Sequence, residues 1–331
     1  MKEVVLIFRK PFTGQVSIEY LFYSISAYLK KAHVPIVNRE LAHYSNTVLK
    51  RFKNLFSVTG YRNKIVHVTG DVHYALLGAW FCKRVLTIHD LGFMVDKGRA
   101  AKFVYWLLWV YLPVKFAHRV TVVSENTRRD LEQYMTLDDD KVQVIGNFID
   151  EVYQAAPRPV TTSTLRLLQI GTAPNKNIKR LAGAIAGLDC VLTVVGKLPE
   201  NTIRELELHQ VKYENKYNLS VADLYEVYKQ SDLLCYVSTL EGFGLPILEA
   251  QATGLPVLCA NCSAMPEVAG AGAYFVDPLD VDAIRNGIST LSKDMQLQKA
   301  LIEKGYENAK KYSKNLIAKE YLKLYQGLSN H

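Results

Sequence analysis

Apolar residues in this chain gather in short, β-branched runs separated by stretches of helical period. One series is Val4–Phe8, Ile65–Val68, Val85–Ile88, Val120–Val123 and Val142–Ile145. A second is Leu165–Ile170, Val191–Val195, Leu233–Val237, Pro256–Cys259 and Tyr274–Val276. Runs that are apolar at every position predict strands covered on both faces, as in parallel sheets. Helical spacing fills the intervals at Ser17–Lys31, Thr127–Tyr134, Ile178–Leu188, Val221–Gln230 and, as one long helix, Asp282–Asn308. Alternation of this kind predicts a doubly wound α/β fold, here twice over. The pattern lapses after Asp150, where EVYQAAPRPVTTST has no period, two prolines and four Thr/Ser. Such a stretch reads as a linker. The expected organisation is therefore a Rossmann-like domain over 1–155, another over 156–315, and a last helix over 316–331 that could pack back on the first. Two such domains facing each other would leave a cleft lined by the C-terminal ends of strands, where ligands of these folds bind.

Composition narrows the class. With 331 residues, 49% apolar and 22% charged, the chain can bury a large core without disulfides. Its five cysteines are odd in number and three sit inside apolar runs, which reads as reduced, buried thiols. Cys259-Ala-Asn-Cys262 has no second pair or nearby His to complete a zinc site, and it follows a late strand rather than opening a helix. The start shows only Val4–Phe8 before Arg9, too short for an export signal. The longest strongly apolar stretch, Phe103–Val114, has 12 residues, whereas a spanning helix needs about 20. We expect a cytoplasmic protein.

Charge is placed unevenly. Residues 1–64 hold 11 basic and 3 acidic residues, a surplus equal to the +8 of the whole chain. Lys30-Lys31 and Lys50-Arg51-Phe52-Lys53 are its clusters. A basic face suits an anionic partner, although a solvated surface without a role explains it equally. Lys102–Lys115 (KFVYWLLWVYLPVK) adds five aromatics. Tyr105, Trp106 and Trp109 suit a bilayer interface, while a helix buried in the core is the alternative reading. The basic clusters favour peripheral contact with an anionic membrane, on its inner face. No recognised nucleic-acid motif is present.

The chemistry concentrates in Ser238–Pro278. DLLCYVS is a strand ending in a loop; Gly242 and Gly244 permit close backbone approach, and Pro246 suits a first helical turn. LPILEAQA continues as a helix that Gly254 ends. A Gly-rich turn opening a helix after a strand offers free amides and the positive end of a dipole, which is a phosphate site. Glu241 and Glu249 bracket it, and carboxylates are good acceptors for sugar hydroxyls. Taken alone, the pair could equally be helix-terminus charges.

Glu241 and Glu249 form an E-x7-E motif, EGFGLPILE, which with PEV and VDP closely resembles the retaining GT-B glycosyltransferases of the GT4 type. TIHDL (Thr87–Leu91), VSENTRRDL (Val123–Leu131), IGNFID (Ile145–Asp150) and IGTAPNKNIKRL (Ile170–Leu181) match further family segments in order. The resemblance implies a GT-B fold and a metal-independent, retaining hexosyltransferase without cofactors. Its donor would be a UDP- or GDP-sugar, and its acceptor a saccharide or lipid-linked saccharide of cell-surface glycan synthesis. Glu249 would bind ribose from a cleft-facing position, and Glu241 would contact the donor sugar. Backbone at Gly244 and Leu245, with the Gly171–Thr172 loop, would cradle the diphosphate. Lys176 would stabilise that diphosphate as it leaves, and His89 would reach the sugar. Gly14 would lie on the acceptor side. The sequence departs from the family at Asn175, where an Arg often precedes the Lys; Lys179 or Arg180 could supply the second cation. Phe148 replaces a Gly, and the first loop has one Gly where many members have two. Asp138-Asp139-Asp140 lies in a polar turn and reads as solvated. Two other classes compete: a sugar-nucleotide epimerase of the same architecture, and a non-catalytic GT-B partner subunit.

Overall fold

The computed structural model describes residues 1–11, 17–94, 97–157 and 164–329. It divides into two compact units, one of Met1–Phe148 with Lys314–His331 and one of Ile149–Ser313. In the first, β1 (Val4–Phe8), α1 (Ser17–Lys31), β2 (Ile36–Glu40), α2 (Val48–Ser57), β3 (Ile65–Val68) and β4 (Lys83–Ile88) follow in order. Then come α3 (Arg99–Tyr105), α4 (Leu112–Phe116), β5 (Arg119–Val122), α5 (Glu125–Glu132) and β6 (Val142–Val144). The second unit runs β7 (Leu165–Ile170), α6 (Ile178–Ile185), β8 (Cys190–Val195), α7 (Glu200–Leu208), β9 (Tyr213–Lys216) and α8 (Val221–Gln230). It continues with β10 (Leu233–Tyr236), α9 (Leu245–Thr253), β11 (Val257–Ala260), α10 (Met265–Ala269), β12 (Tyr274–Val276), α11 (Val281–Lys293) and α12 (Met295–Lys310); α13 (Lys314–Ser329) returns to the first unit.

Each unit holds a six-stranded, all-parallel sheet, ordered β2-β1-β3-β4-β5-β6 and β12-β11-β10-β7-β8-β9. Each unit is thus the doubly wound α/β pattern expected of it. Strands β1, β3, β10 and β11 are buried along their length, which is why they read as runs that are apolar but for His67. The edge strands β2 (IVNRE) and β9 (YENK) carry polar and charged residues that blunt an open edge, and the apolar pattern passes over them. In both sheets the strand order reverses beside the first strand, between β1 and β3 and between β7 and β10.

The chain crosses between units at 148/149 and 313/314, where the linker pattern suggested 155/156 and 315/316. Residues after Phe148 belong to the second unit because Ile149 donates its amide to the Tyr312 carbonyl (2.9 Å), and Tyr153 sets its ring edge-on to Tyr228, centroids 5.6 Å apart. The long helix expected over Asp282–Asn308 is two helices. Asp294 separates them, its carboxylate accepting the Leu297 amide (2.8 Å) as the cap of α12. The aromatic segment Lys102–Lys115 is no free interfacial helix either. α3 passes through a π-helical turn (Trp106–Tyr111) into α4; Trp109 and Val110 are buried, and the indoles donate to the Tyr134 carbonyl (Trp106, 3.0 Å) and the Asp71 carbonyl (Trp109, 2.9 Å). Trp109 is therefore a core residue of the first unit, and Tyr105 and Trp106 pack half-buried against the same core. Among the described residues no helix is long and apolar enough to cross a membrane.

Helix α13 completes the first unit. Ile317, Tyr321, Leu324, Tyr325 and Leu328 pack into the same core as Leu21, Phe22, Ile25 and Leu29 of α1. Inside this core a buried polar chain runs from Tyr325 through His67 (Nδ1, 2.7 Å) to Thr87 (Nε2, 2.7 Å) and on to Thr121 (2.6 Å). Burial, with His89 nearby, lowers the His67 pKa to about 3, so His67 stays neutral and serves as a hydrogen-bonding link between helix and sheet. Tyr325→Phe should remove one end of that chain, leave a buried ring nitrogen unpaired and destabilise the first unit by about 1–3 kcal/mol. Chemical denaturation, with an unchanged transition for the second unit as the internal control, measures it.

Candidate active site

In the second unit, Gly171 ends β7 with φ +88°. A Cβ there would lie 2.7 Å from Cε of Lys176, so the glycine lets the lysine fold back over the backbone. Two asparagines fix the loop between β7 and α6. Asn175 donates its side-chain amide to the Leu240 carbonyl (2.8 Å), while its own carbonyl accepts from the Thr239 amide (2.8 Å). Asn177, buried and left-handed (φ 59°), donates to the carbonyls of Val237 (3.0 Å) and Pro278 (2.6 Å). The β7 and β10 loops are thereby joined at the sheet's reversal point, where open α/β folds bind ligands.

Lys176 and Glu241 meet at that junction. The ammonium lies 2.6 Å from Glu241 Oε1 and donates to the Tyr236 hydroxyl at 2.9 Å. Both side chains are largely shielded, Lys176 at 16% and Glu241 at 13% exposure. Burial, then the Glu241 carboxylate, pushes the Tyr236 phenol well above its ordinary pKa, so it remains a neutral partner. The Glu241 backbone is clamped in turn: its amide donates to Ser263 Oγ (3.1 Å), whose hydroxyl donates to the Glu241 carbonyl (2.7 Å). Gly244, with φ +101°, then opens α9; Pro246 stands in the first turn, and the left-handed Gly254 closes the helix. In the first turn of α9 Pro246 has no N–H and the Ile247 amide donates to the Gly244 carbonyl (3.0 Å), so the Leu245 amide is the one with no acceptor within that turn. Thr172 turns its hydroxyl onto the Lys197 carbonyl (2.8 Å).

Glu249 is buried, only 8% exposed. Tyr228 donates to its Oε2 at 2.6 Å, and Tyr153 also hydrogen-bonds to it. Burial raises its pKa to about 7 against the opposing pull of the two phenols, with Asp150 adding to the rise. A carboxylate offers about four acceptor positions, so two tyrosines leave room for a diol. Of the candidate second cations, Lys179 pairs with Glu205 (2.5 Å), and Arg180 donates to Asn177 Oδ1 (3.0 Å).

In the first unit, His89 follows β4 and donates from Nε2 to the Thr69 carbonyl (2.8 Å), which leaves Nδ1 as the acceptor nitrogen. Burial pushes its pKa down, against the pull of that bond and of Asp90 and Asp71. Beside β1, Arg9 holds Glu19 (2.6 Å) and Asp71 (2.9 Å), an acidic–basic cluster that sequence patterning gave no reason to group. Gly14 lies outside the described residues. The other pieces missed from sequence are Tyr153, Tyr228, Tyr236 and Ser263, which act on the motif carboxylates from distant segments. The Asn residues flanking Lys176 were the one local signal. Cys259 and Cys262 are unpaired thiols with pKa values raised by burial, and Asp138–Asp140 form the polar turn expected of them.

Comparison with known proteins fits both units. Residues 162–308 match the family model for glycosyl transferases group 1, and residues 19–152 match the model for glycosyltransferase family 4. The chain is 41% identical over 91 residues to the O-antigen chain mannosyltransferase B of Escherichia coli, covering 28% of this chain and 24% of that one. It is 29% identical over 232 residues to the MMP alpha-(1->4)-mannosyltransferase of Mycolicibacterium hassiacum, covering 66% and 52%. Identity is 25% over 281 residues to the Campylobacter jejuni N,N'-diacetylbacillosaminyl-diphospho-undecaprenol alpha-1,3-N-acetylgalactosaminyltransferase, covering 76% and 73%. The matches thus span about a quarter and about half of the first two relatives. Among solved structures, sucrose-phosphate synthase of Thermosynechococcus elongatus superposes with TM-score 0.81 at 17% identity, covering 99% of both chains. Anabaena HepE in complex with UDP and glucose gives 0.76 at 16%, covering 99% and 100%.

The buried carboxylate makes stability depend on pH. Glu249 loses its proton near 4.5 when unfolded but near 7 when folded. Between these values the folded state holds a proton that the unfolded state has lost, so stability should fall as pH rises from 4.5 to 7. The expected loss is on the order of 3 kcal/mol. Glu249→Gln keeps an acceptor for Tyr228 and removes the titration. Its stability profile should lack that slope, as thermal or urea unfolding at several pH values would show.

Proposed function

Because the chain belongs to the GT4-type GT-B glycosyltransferases, we propose that it moves a sugar from a UDP- or GDP-sugar to an acceptor hydroxyl with retention at the anomeric carbon. The observation that carries this reading is the Lys176–Glu241 pair at the reversal point of the second sheet, beside the glycine-opened N-terminus of α9. An ammonium has three N–H donors. Glu241 and Tyr236 take two, and the third meets a diphosphate oxygen. The backbone at Gly244 and Leu245 and the Gly171–Thr172 turn hold the same group. Glu241 accepts from the donor sugar, Glu249 accepts from the ribose diol, and His89 offers a neutral imidazole to the sugar.

In this mechanism the acceptor hydroxyl attacks on the face from which the nucleotide diphosphate leaves, and the departing phosphate oxygen takes the hydroxyl proton. The protein contributes positioning and stabilisation of the leaving charge, without a resident metal or a separate general base. HepE binding UDP and glucose supports the donor class. The O-antigen and diphospho-undecaprenol relatives support a lipid-linked saccharide as acceptor, in cell-surface glycan synthesis. Such an acceptor calls for peripheral work at the cytoplasmic face of a membrane.

Lys176→Ala should lower kcat more than it raises the donor KM, since the leaving diphosphate gains charge only as the bond breaks. A pure KM effect in steady-state transfer kinetics would make the lysine a ground-state anchor. Donor binding should also strengthen as pH rises through about 7, where Glu249 ionises to accept the ribose hydroxyls. Glu249→Gln should bind more weakly and without that pH dependence. Calorimetric titration with UDP and GDP across pH 6 to about 8 reads both.

A further inference from the structure

Helix α2 is amphipathic with its faces reversed. Val48, Phe52 and Phe56 recur at i, i+4 and i+8 with Leu49 beside them, forming one stripe. These four side chains are between 53% and 67% exposed. The opposite side is anchored by polar groups. Asn54, fully buried, donates to the His43 carbonyl (2.8 Å) and the Tyr74 hydroxyl (3.1 Å), and accepts from the His43 amide (3.2 Å). Arg51 donates to the Ser45 carbonyl (2.9 Å) and lies over the Trp109 ring, 4.9 Å from its centroid. A surface helix ordinarily turns its apolar stripe to the core; α2 turns it outward.

The surface continues past the end of the helix. Gly78 packs so close to α2 that a Cβ would lie 2.0 Å from the Leu55 carbonyl oxygen. Two residues later Trp80 and Phe81 emerge, 62% and 72% exposed. Phe81 holds φ 57°, uncommon for a bulky residue, with the Arg62 guanidinium 4.9 Å from its ring centroid. From Leu41 to Gly70 the sequence contains five Lys or Arg and no Asp or Glu. Lys53 borders the apolar stripe.

We propose that this face docks the first unit on an anionic lipid bilayer. The α2 stripe and Trp80–Phe81 enter the headgroup layer, and Lys53 and Arg62 meet lipid phosphates. Outward apolar residues on a sequence segment whose charges are all basic fit an interfacial helix on an anionic surface. The aromatic segment around Trp109 supports α2 from beneath instead of inserting. The surface deepens the peripheral-membrane part of the proposed function, yet its evidence lies in the first unit and involves none of the donor-binding residues.

The test is flotation of the full chain with phosphatidylglycerol-containing and pure phosphatidylcholine vesicles, at about 0.1 M and about 1 M salt, which shortens screening from about 10 Å to about 3 Å. The protein should float with anionic vesicles, less so at high salt. Phe52→Ser/Phe56→Ser, at exposed positions, should reduce partitioning about tenfold or more. Lys53→Glu should weaken binding to anionic vesicles alone. Thermal shifts with UDP or GDP should be unchanged in all variants, which reports on folding and tests the donor reading separately. Failure of the unmodified protein to float with anionic vesicles at low salt overturns the proposal, as does undiminished flotation of the double variant. A dimer in light scattering that the double variant abolishes, without vesicle binding, assigns the stripe to a second copy and also overturns it.

Discussion

One ion pair joins what the rest of the second unit is built to present. Lys176 follows the first strand of its sheet and Glu241 follows the fourth, 65 residues later. Neither could be shielded alone without a large desolvation cost, because a charge removed from water requires a partner in good geometry. The surrounding devices supply that geometry. Gly171 removes the side chain that would strike the lysine, Asn175 and Asn177 tie the two loops together, Tyr236 provides a neutral acceptor, and Ser263 pins the backbone of the glutamate. Apart from Gly171, each contact crosses between segments remote in sequence, so the sheet must form before the pair can exist.

That separation explains which parts of the site were legible from sequence. The E-x7-E motif, its glycines and the lysine after a Gly turn are local patterns, and the structure gathers Gly171, Lys176 and Glu241 at one junction. The environment of Glu249 was illegible. Its two phenolic donors come from 21 residues upstream and from the stretch just after the crossing into the second unit, and no local pattern announces a tyrosine aimed at a distant carboxylate. The Arg9–Glu19–Asp71 cluster was hidden for the same reason.

The fold shows the same division. Central strands declared themselves because burial on both faces favours apolar residues, whereas β2 and β9 lie at sheet edges and carry polar and charged residues. The segment around Trp109 was ambiguous because a membrane interface and a protein core accept the same aromatics. The indole N–H bonds to Asp71 and Tyr134 decide for the core. Helix α2 is the opposite case: its apolar stripe lies outside, and the buried Asn54 marks its inner face.

The return of α13 to the first unit has a consequence for biosynthesis. A ribosome makes the helix that fills the His67 core only after it has made all of residues 149–313. At about 5–20 residues per second that delay lasts on the order of ten seconds or more. Throughout it, the nascent first unit carries an uncovered strip along α1 and a histidine missing one of its two partners, while the continuous second unit can complete itself as it emerges. The segment made first is therefore the last to mature. A chaperone that shields the α1 strip would act during translation of the second unit, and a chain released before α13 would hold a finished second unit beside an unfinished first one.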